Sequence, residues 1–279
     1  MKELFNDLVS DKNIVVITGA GVSTASGIPD FRSSDGLYNK SNEEFYEKYP
    51  ELRQKPVEYL LSKSCLFEHP DAFYDFYKAN KVLSDNIKPN IVHSVLVDLE
   101  KKGYIEGIIT QNIDNLHQEA GSENLIAIHG SNDFYCTECG TVYSKERYIN
   151  DGYKCSCEGC KGIIRPKIVL YGECYNLMDY QKCINMIKNA DIIVAAGTSL
   201  TVSTVTKFIT LFFHNDNLEK RLYILNNQST CYDRFANVKR YSEDLSVIFS
   251  EISEFINAED LNINPKRKVL YRKSTDFNN

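Results

Sequence analysis

The 279-residue chain lacks the marks of several protein classes. No run approaches the roughly 18 consecutive apolar residues of a membrane span, so no membrane partner is expected. The opening stretch, Met1 to Asp7, has no apolar core of signal-peptide length. The expectation is therefore a cytoplasmic, reducing setting in which thiols stay free or bind metal. Positive charge is not in excess: 32 Lys and Arg against 38 Asp and Glu leave a formal charge of −6. Without a global basic field, nucleic acid is not expected as a direct ligand. The one basic stretch, Lys266-Arg267-Lys268 with Arg272-Lys273, reads as a solvated tail near the C-terminus. There is no internal repeat at solenoid periods and no long low-complexity segment. An even complement of cysteines is also missing. Nine thiols cannot all pair within one chain, and a chain this long needs no disulfide staples.

What is present is ordinary globular composition, with 43% hydrophobic and 25% charged residues. At roughly 150 residues per domain the length suggests about two domains. Asn13 to Thr18 reads as a buried strand that runs into Gly19-Ala20-Gly21 and a helix start, the layout of a nucleotide-binding crossover. Residues 42–80 carry aromatic residues at mixed helical spacings and read as short helices. A helical pattern follows Pro89 and stops at Gly103. Tyr104 to Thr110, Leu125 to His129, Ile168 to Tyr171, Asp191 to Ala196 and Arg221 to Leu225 read as strands. Gln181 to Lys188 reads as a helix, and Leu245, Ile248, Phe249, Ile252 and Phe255 mark one face of another. Strands alternating with helices imply an α/β fold with a Rossmann-like parallel sheet. The expected boundaries are 1–36, 84–130 and 165–258 for the sheet domain. A helical insertion (37–83) and a zinc-binding insertion (131–164) form one small lobe, a zinc ribbon plus helices, and 259–279 is a tail.

Cys136-x-x-Cys139 and Cys157-x-x-Cys160 have the spacing of two knuckles converging on one tetrahedral zinc. Four thiolates leave no open position, so the zinc (Zn2+, one per chain) is expected to be structural. Cys155 could replace Cys157 in a looser pair with Cys160; the mirrored two-residue spacing favours Cys157. Cys65, Cys174, Cys183 and Cys231 stand alone and read as packing residues or exposed thiols.

The glycine turn alone is a weak signal, because Thr24 stands where the ordinary dinucleotide fingerprint has its third glycine. The continuation is far more specific: Gly19-Ala-Gly-Val-Ser-Thr-Ala-Ser-Gly-Ile-Pro-Asp-Phe-Arg32. It is followed by Thr110-Gln-Asn-Ile-Asp114, Ile128-His-Gly130, the cysteines, Arg165-Pro-Lys-Ile-Val-Leu-Tyr-Gly-Glu173, Gly197-Thr-Ser199 and Ile224-Leu-Asn226. This order resembles the sirtuins, NAD-dependent protein deacylases, over about residues 5 to 255.

The resemblance implies NAD as co-substrate and acyl-lysine proteins or peptides as partners, with a monomer expected. It places NAD against Gly19, Ala20, Gly21, Ser23, Ala25, Asp30, Phe31 and Arg32, where backbone amides meet the pyrophosphate and Ser23 can donate a further hydrogen bond. Gln111, Asn112, Ile113, Asp114 and His129 complete the nicotinamide-ribose end; Gly197, Thr198, Ser199 and Asn226 take the other. Tyr241 is the adenine candidate, the least marked of the set. His129 is expected as general base on a ribose hydroxyl and Asn112 as the residue that orients water and ribose. His93 and His117 read as packing residues, His69 and His214 as surface ones. Val169, Leu170, Tyr171, Gly172 and Glu173 are expected to pair with an acyl-peptide as an added strand, with Phe31 and Val169 lining the acyl-lysine tunnel.

Tyr171 stands where the family usually has phenylalanine. Family members that remove malonyl or succinyl groups carry a Tyr-x-x-Arg pair near Phe73 to Lys78. Here Tyr74 is present but Tyr77 stands in the arginine's place, so neutral acyl groups are expected. The competing readings are protein ADP-ribosyl transfer on the same fold, and a non-catalytic zinc-ribbon binding module.

Overall fold

The structure, a computed structural model, describes residues 1–30, 43–79, 83, 86–214 and 219–261. Strands β1 (Ile14–Thr18), β2 (Gly107–Thr110) and β3 (Leu125–Ala127) form one half of a six-stranded sheet. Strands β7 (Ile192–Ala196), β8 (Arg221–Leu225) and β9 (Val238–Tyr241) form the other half. The order is β3-β2-β1-β7-β8-β9, and every pairing is parallel. Counting only these strands, this is the doubly wound order, in which ligands bind where the order reverses. That point lies between β1 and β7.

The central strands are apolar on both faces, as a covered parallel sheet requires. Ile14 and Val16 of β1 face a core with α1 (Lys2–Leu8), α5 (Ile91–Lys101) and α10 (Leu245–Leu261). Val15 and Ile17 face the opposite core, with α8 (Leu177–Asn189) and α9 (Ser203–Phe212). The period-two alternation of the strand thus builds two helical layers.

The small lobe comes from both insertions. α2 (Glu43–Lys48), α3 (Lys63–Glu68) and α4 (Pro70–Lys78) belong to the first. A three-stranded antiparallel sheet, β5-β4-β6, belongs to the second: β4 (Gly130–Cys136), β5 (Val142–Tyr143) and β6 (Ile164–Ile168). One core joins them, with Leu60, Phe73 and Tyr77 packed among Phe134, Tyr148 and Ile164. α6 (Leu116–Ala120) and α7 (Lys145–Asp151) complete the element list.

The structure departs from the sequence reading in several places. β9 and α9 were not foreseen: β9 is four residues with two charged ones, and α9 is a short helix that buries Val205, Phe208, Ile209 and Phe212 on one face among several β-branched residues. The strand expected over Ile168–Tyr171 instead starts at Ile164, so the expected boundary at 165 falls inside β6. Beyond Ile168 the chain folds over a buried ion pair: Arg165 donates to both Glu173 oxygens at 2.5 and 2.9 Å and to the Ile168 carbonyl at 2.7 Å. That wrapping ends the strand. α8 begins at Leu177, four residues before the expected start, because the Asn176 side chain caps it. The basic stretch at 266–273 lies outside the described residues.

β4 begins directly after His129, at Gly130, whose φ is +86°. A β carbon there would lie 2.1 Å from the Lys167 carbonyl oxygen. Gly130→Ala is therefore expected to cost at least about 2 kcal/mol, from left-handed strain plus a backbone clash. Denaturant unfolding of the variant against the parent checks this.

Candidate active site

The reversal point is built by backbone contact. The Gly19 amide donates to the Ala196 carbonyl at 3.0 Å and the Gly21 amide to the Gly197 carbonyl at 2.9 Å. A β carbon on Gly21 would sit 2.7 Å from Gly197 Cα, and Gly197 itself has a φ of +62°. Only glycine lets these two turns touch. Behind Gly19 the chain enters a short 3-10 helix, Ala20–Ser26, with backbone amides at its start.

A cavity of about 960 Å3 opens at this edge of the sheet. Of the expected NAD residues, Gly19, Ala20, Gly21, Ala25, Asp30, Gln111, Asn112, Ile113, His129, Gly197, Thr198, Ser199 and Asn226 line it. Val169, Leu170, Tyr171, Gly172 and Glu173, from the expected substrate segment, line it as well. Phe31 and Arg32 lie outside the described residues.

Ser23 and Asp114 stand behind the lining. The Ser23 hydroxyl, wholly buried, donates to Asp114 Oδ2 at 2.6 Å and accepts from Asn112 Nδ2 at 3.1 Å. The hydrogen that Ser23 was expected to offer a phosphate is therefore given to Asp114. Tyr241 is a correction. Its ring stacks on Tyr223 at 6.3 Å and joins the core, so it does not line the cavity. Asp244, Leu245 and Ser246, at the start of α10, line it instead; no motif marks them in the sequence. Tyr175, Thr201, Val202 and Ser203 were also missed.

His129 is oriented from both sides. Its Nδ1 lies 2.9 Å from the Gln111 carbonyl oxygen, which can only accept, so Nδ1 carries the hydrogen and Nε2 is the basic nitrogen. Burial holds its pKa below the usual histidine value, opposed in part by that hydrogen bond. The ring is therefore neutral at neutral pH. Its carbonyl accepts from the Val169 amide at 2.8 Å, tying the candidate base to the substrate segment. Gln111 spans the reversal point: its Nε2 donates to Thr198 Oγ1 at 2.9 Å and to the Thr18 carbonyl at 3.2 Å.

His93 and His117 are buried beneath this turn, with ring centroids 4.8 Å apart. Burial pushes His93 down to about 4, against a smaller opposing pull from Asp114, and His117 down to about 3. Both are neutral at neutral pH.

Tyr77 lines the far side of the cavity, and its hydroxyl donates to Asn132 Oδ1 at 2.8 Å. Tyr74 instead bonds the Ile149 carbonyl, and Lys78 lies over the Tyr74 ring. Among the described residues the one buried cation is Arg165, and Glu173 holds it.

In the small lobe the sulfurs of Cys136, Cys139, Cys155 and Cys160 lie within 4.8 Å of one another. Two of the separations, Cys136 to Cys160 and Cys139 to Cys155, are 3.6 Å. Four sulfurs tetrahedral about zinc at about 2.3 Å stand roughly 3.8 Å apart, so the set fits the ion. The expected ligand Cys157 is not in this group. Its sulfur lies against Thr141 Oγ1 at 3.3 Å and the Tyr143 hydroxyl at 3.5 Å. The reason is a pairing the spacing does not reveal: the Cys155 amide donates to the Gly162 carbonyl at 3.1 Å, beside a Lys154–Ile163 bridge. That pairing fixes Cys155 opposite Cys139. Gly162 has no room for a side chain, since a β carbon would meet Cys136 Sγ at 2.4 Å. Cys65 and Cys183 are buried, and Cys174 and Cys231 exposed, as expected.

Residues 19–204 match the model of the Sir2 family. An NAD-dependent protein deacetylase of Staphylococcus epidermidis is 42% identical over 244 residues, 87% of this chain and 93% of that protein. One of the same name from Clostridium tetani is 40% identical over 241 residues, 85% of this chain and 90% of that protein. Among solved structures, a Sir2 chain with a deacetylated p53 peptide and 3′-O-acetyl ADP-ribose matches with a TM-score of 0.78 at 32% identity. The match covers 91% of this chain and 97% of that chain. Sir2Tm bound to a propionylated peptide matches with a TM-score of 0.74 at 30% identity, over 93% of this chain and 99% of that one.

The cysteine geometry makes a direct prediction. Cys157→Ser should retain about one zinc per chain, while Cys155→Ser should lose it along with much of the fold's stability. Metal analysis of the purified variants, with thermal melts, decides between the two cysteines.

Proposed function

Because this chain belongs to the Sir2 (sirtuin) family, we propose that the cavity at the β1–β7 reversal is where it carries out the family's reaction on its own residues. The chain is an NAD-dependent protein deacetylase. The observation that carries the site assignment is the convergence of His129, Asn112 and the Gly19–Gly21 turn on one cavity with the substrate segment.

Bound NAD supplies an electrophilic ribose carbon bearing nicotinamide, and its ribose takes up the acyl group. The residues of this chain do the rest. The Gly19 and Gly21 amides are held by the Ala196 and Gly197 carbonyls, so the turn meets the pyrophosphate through the Ala20 amide and its glycine surface, and Thr198, Ser199 and Asn226 meet the adenosine ribose. Asn112 orients the nicotinamide ribose and water, and Asp114, braced by Ser23, takes the nicotinamide carboxamide with the Ile113 backbone. Neutral His129 accepts a proton at Nε2 from a ribose hydroxyl, and the resulting cation is stabilised by the Gln111 carbonyl on Nδ1. The Val169–Glu173 segment pairs with the peptide backbone, which suits recognition of many sequences.

The acyl group is proposed to be neutral. A buried acyl carboxylate would need a cation, Tyr77 offers none, and Arg165 is already matched by Glu173. Among the described residues no helix is long and apolar enough to cross a membrane. A cytoplasmic setting and a monomeric state belong to the same proposal.

Nicotinamide release from NAD should require an acyl-lysine peptide. His129→Ala should lower it by about a thousandfold or more. In the same assay acetyl- or longer aliphatic-lysine peptides should outpace succinyl-lysine. Equal turnover by the His129 variant would refute the base assignment, and a preference for succinyl would refute the reading of Tyr77.

A further inference from the structure

Beneath the nicotinamide turn runs a line of buried polar groups that the reaction as described does not use. The Asn112 amide donates to Thr110 Oγ1 at 3.1 Å, and the Thr18 hydroxyl donates to the same oxygen at 2.8 Å. Having given its hydrogen, Thr18 Oγ1 can only accept from His117 Nε2, 3.0 Å away. His117 therefore carries its hydrogen on Nε2, and its Nδ1 is a bare acceptor. At the other end, His93 Nδ1 accepts from the Asn90 amide at 3.2 Å, in the capping box that starts α5. His93 must then carry its hydrogen on Nε2.

The two ring nitrogens left over are complementary. His93 Nε2 is a buried donor and His117 Nδ1 a buried acceptor, and neither bonds to another described residue. The rings meet edge to face with centroids 4.8 Å apart. An unmatched buried polar atom is costly, so two of opposite kind on touching rings favour each other. The chain also has an anchor at each end. The Asn90 side chain donates to the Val22 carbonyl at 2.8 Å and to Ser26 Oγ at 2.9 Å, both in the 3-10 helix. Asn112 at the far end holds Ser23 of that same helix.

We propose that His93 and His117 are positioning residues for nicotinamide release: through Thr18 and Thr110 they hold the Asn112–Asp114 turn in register with the 3-10 helix that binds the phosphates. This rests on the site assignment above. Neither histidine touches the cavity, and neither takes a proton in the reaction; a charged ring would break the line at one end. The pair acts by fixing which nitrogen donates, and hence where Thr110 Oγ1 stands to receive the Asn112 amide.

Long-range proton–nitrogen NMR of the histidine rings in the full chain tests the line without reference to activity. Both His93 and His117 should be neutral with hydrogen on Nε2, from about pH 8 to about pH 5. Hydrogen on Nδ1 of His117 would overturn the proposal. Kinetics supply the second arm. Thr18→Val keeps the shape and cuts the line, so it should lower kcat for nicotinamide release by about tenfold or more, with the peptide KM within about twofold. His117→Gln, whose side-chain amide can reach the same Thr18 oxygen, should retain more rate than His117→Leu. A folded Thr18→Val with the parent's kcat would overturn the proposal. A parent protein that releases no nicotinamide with any acyl peptide would instead overturn the site assignment, while the NMR result would still decide the line itself.

Discussion

The first turn after β1 and the turn after β7 lie with their backbones in contact, and everything at the site depends on that contact. Gly19, Gly21 and Gly197 leave no space for a β carbon between them. The contact brings the ends of β1 and β7 together at the reversal of strand order, and it seats the start of the 3-10 helix against the cavity. Gln111 then spans the same junction, from the end of β2 to Thr198. The Gln111 carbonyl is also what sets the hydrogen of His129. One crowded backbone crossing thus places the glycine turn, Gln111 with Thr198, and His129 relative to one another.

One attachment of the small lobe to this arrangement is a pair of adjacent residues. His129 ends the run out of β3, and Gly130 starts β4, which pairs with β6. The strand that leaves the base is the strand that carries Cys136 into the metal cluster. β6 leads on to the substrate segment, bent back by the Arg165–Glu173 pair. Tyr171 closes the circuit by bridging to Ser62 in the helical insertion. A metal bound by the four sulfurs would therefore stabilise a frame that ends at the substrate segment, without touching the chemistry.

Much of the cavity was legible in the sequence because most of its lining sits in short contiguous motifs. The glycine turn, Gln111 to Asp114, His129, the substrate segment and Gly197 to Ser199 each lie at a strand end, where a local pattern suffices. The failures share a cause, which is pairing between distant segments. Cys155 joins the cluster in place of Cys157 because its amide pairs with Gly162, and a spacing rule cannot register that. Tyr241 reads as a free aromatic until β9 is seen to turn it onto Tyr223. Ser23 reads as a phosphate donor until Asp114 is found holding its hydrogen. The lining from the start of α10 carries no motif at all, only a place created by how that helix docks on α5.

The account requires that the acyl group, not the peptide, ends on the ribose. On the role proposed for His129, which is neutral at neutral pH and bonded to Val169, a ribose oxygen would be the nucleophile toward the acyl carbon and the lysine would leave unmodified. Quantitative mass spectrometry of a single-turnover mixture of protein, NAD and an acetyl-lysine peptide measures this directly. Nicotinamide, deacetylated peptide and acetyl-ADP-ribose should form in equal amounts. Nicotinamide released with ADP-ribose attached to the peptide or the protein, and the acetyl group left in place, would contradict it.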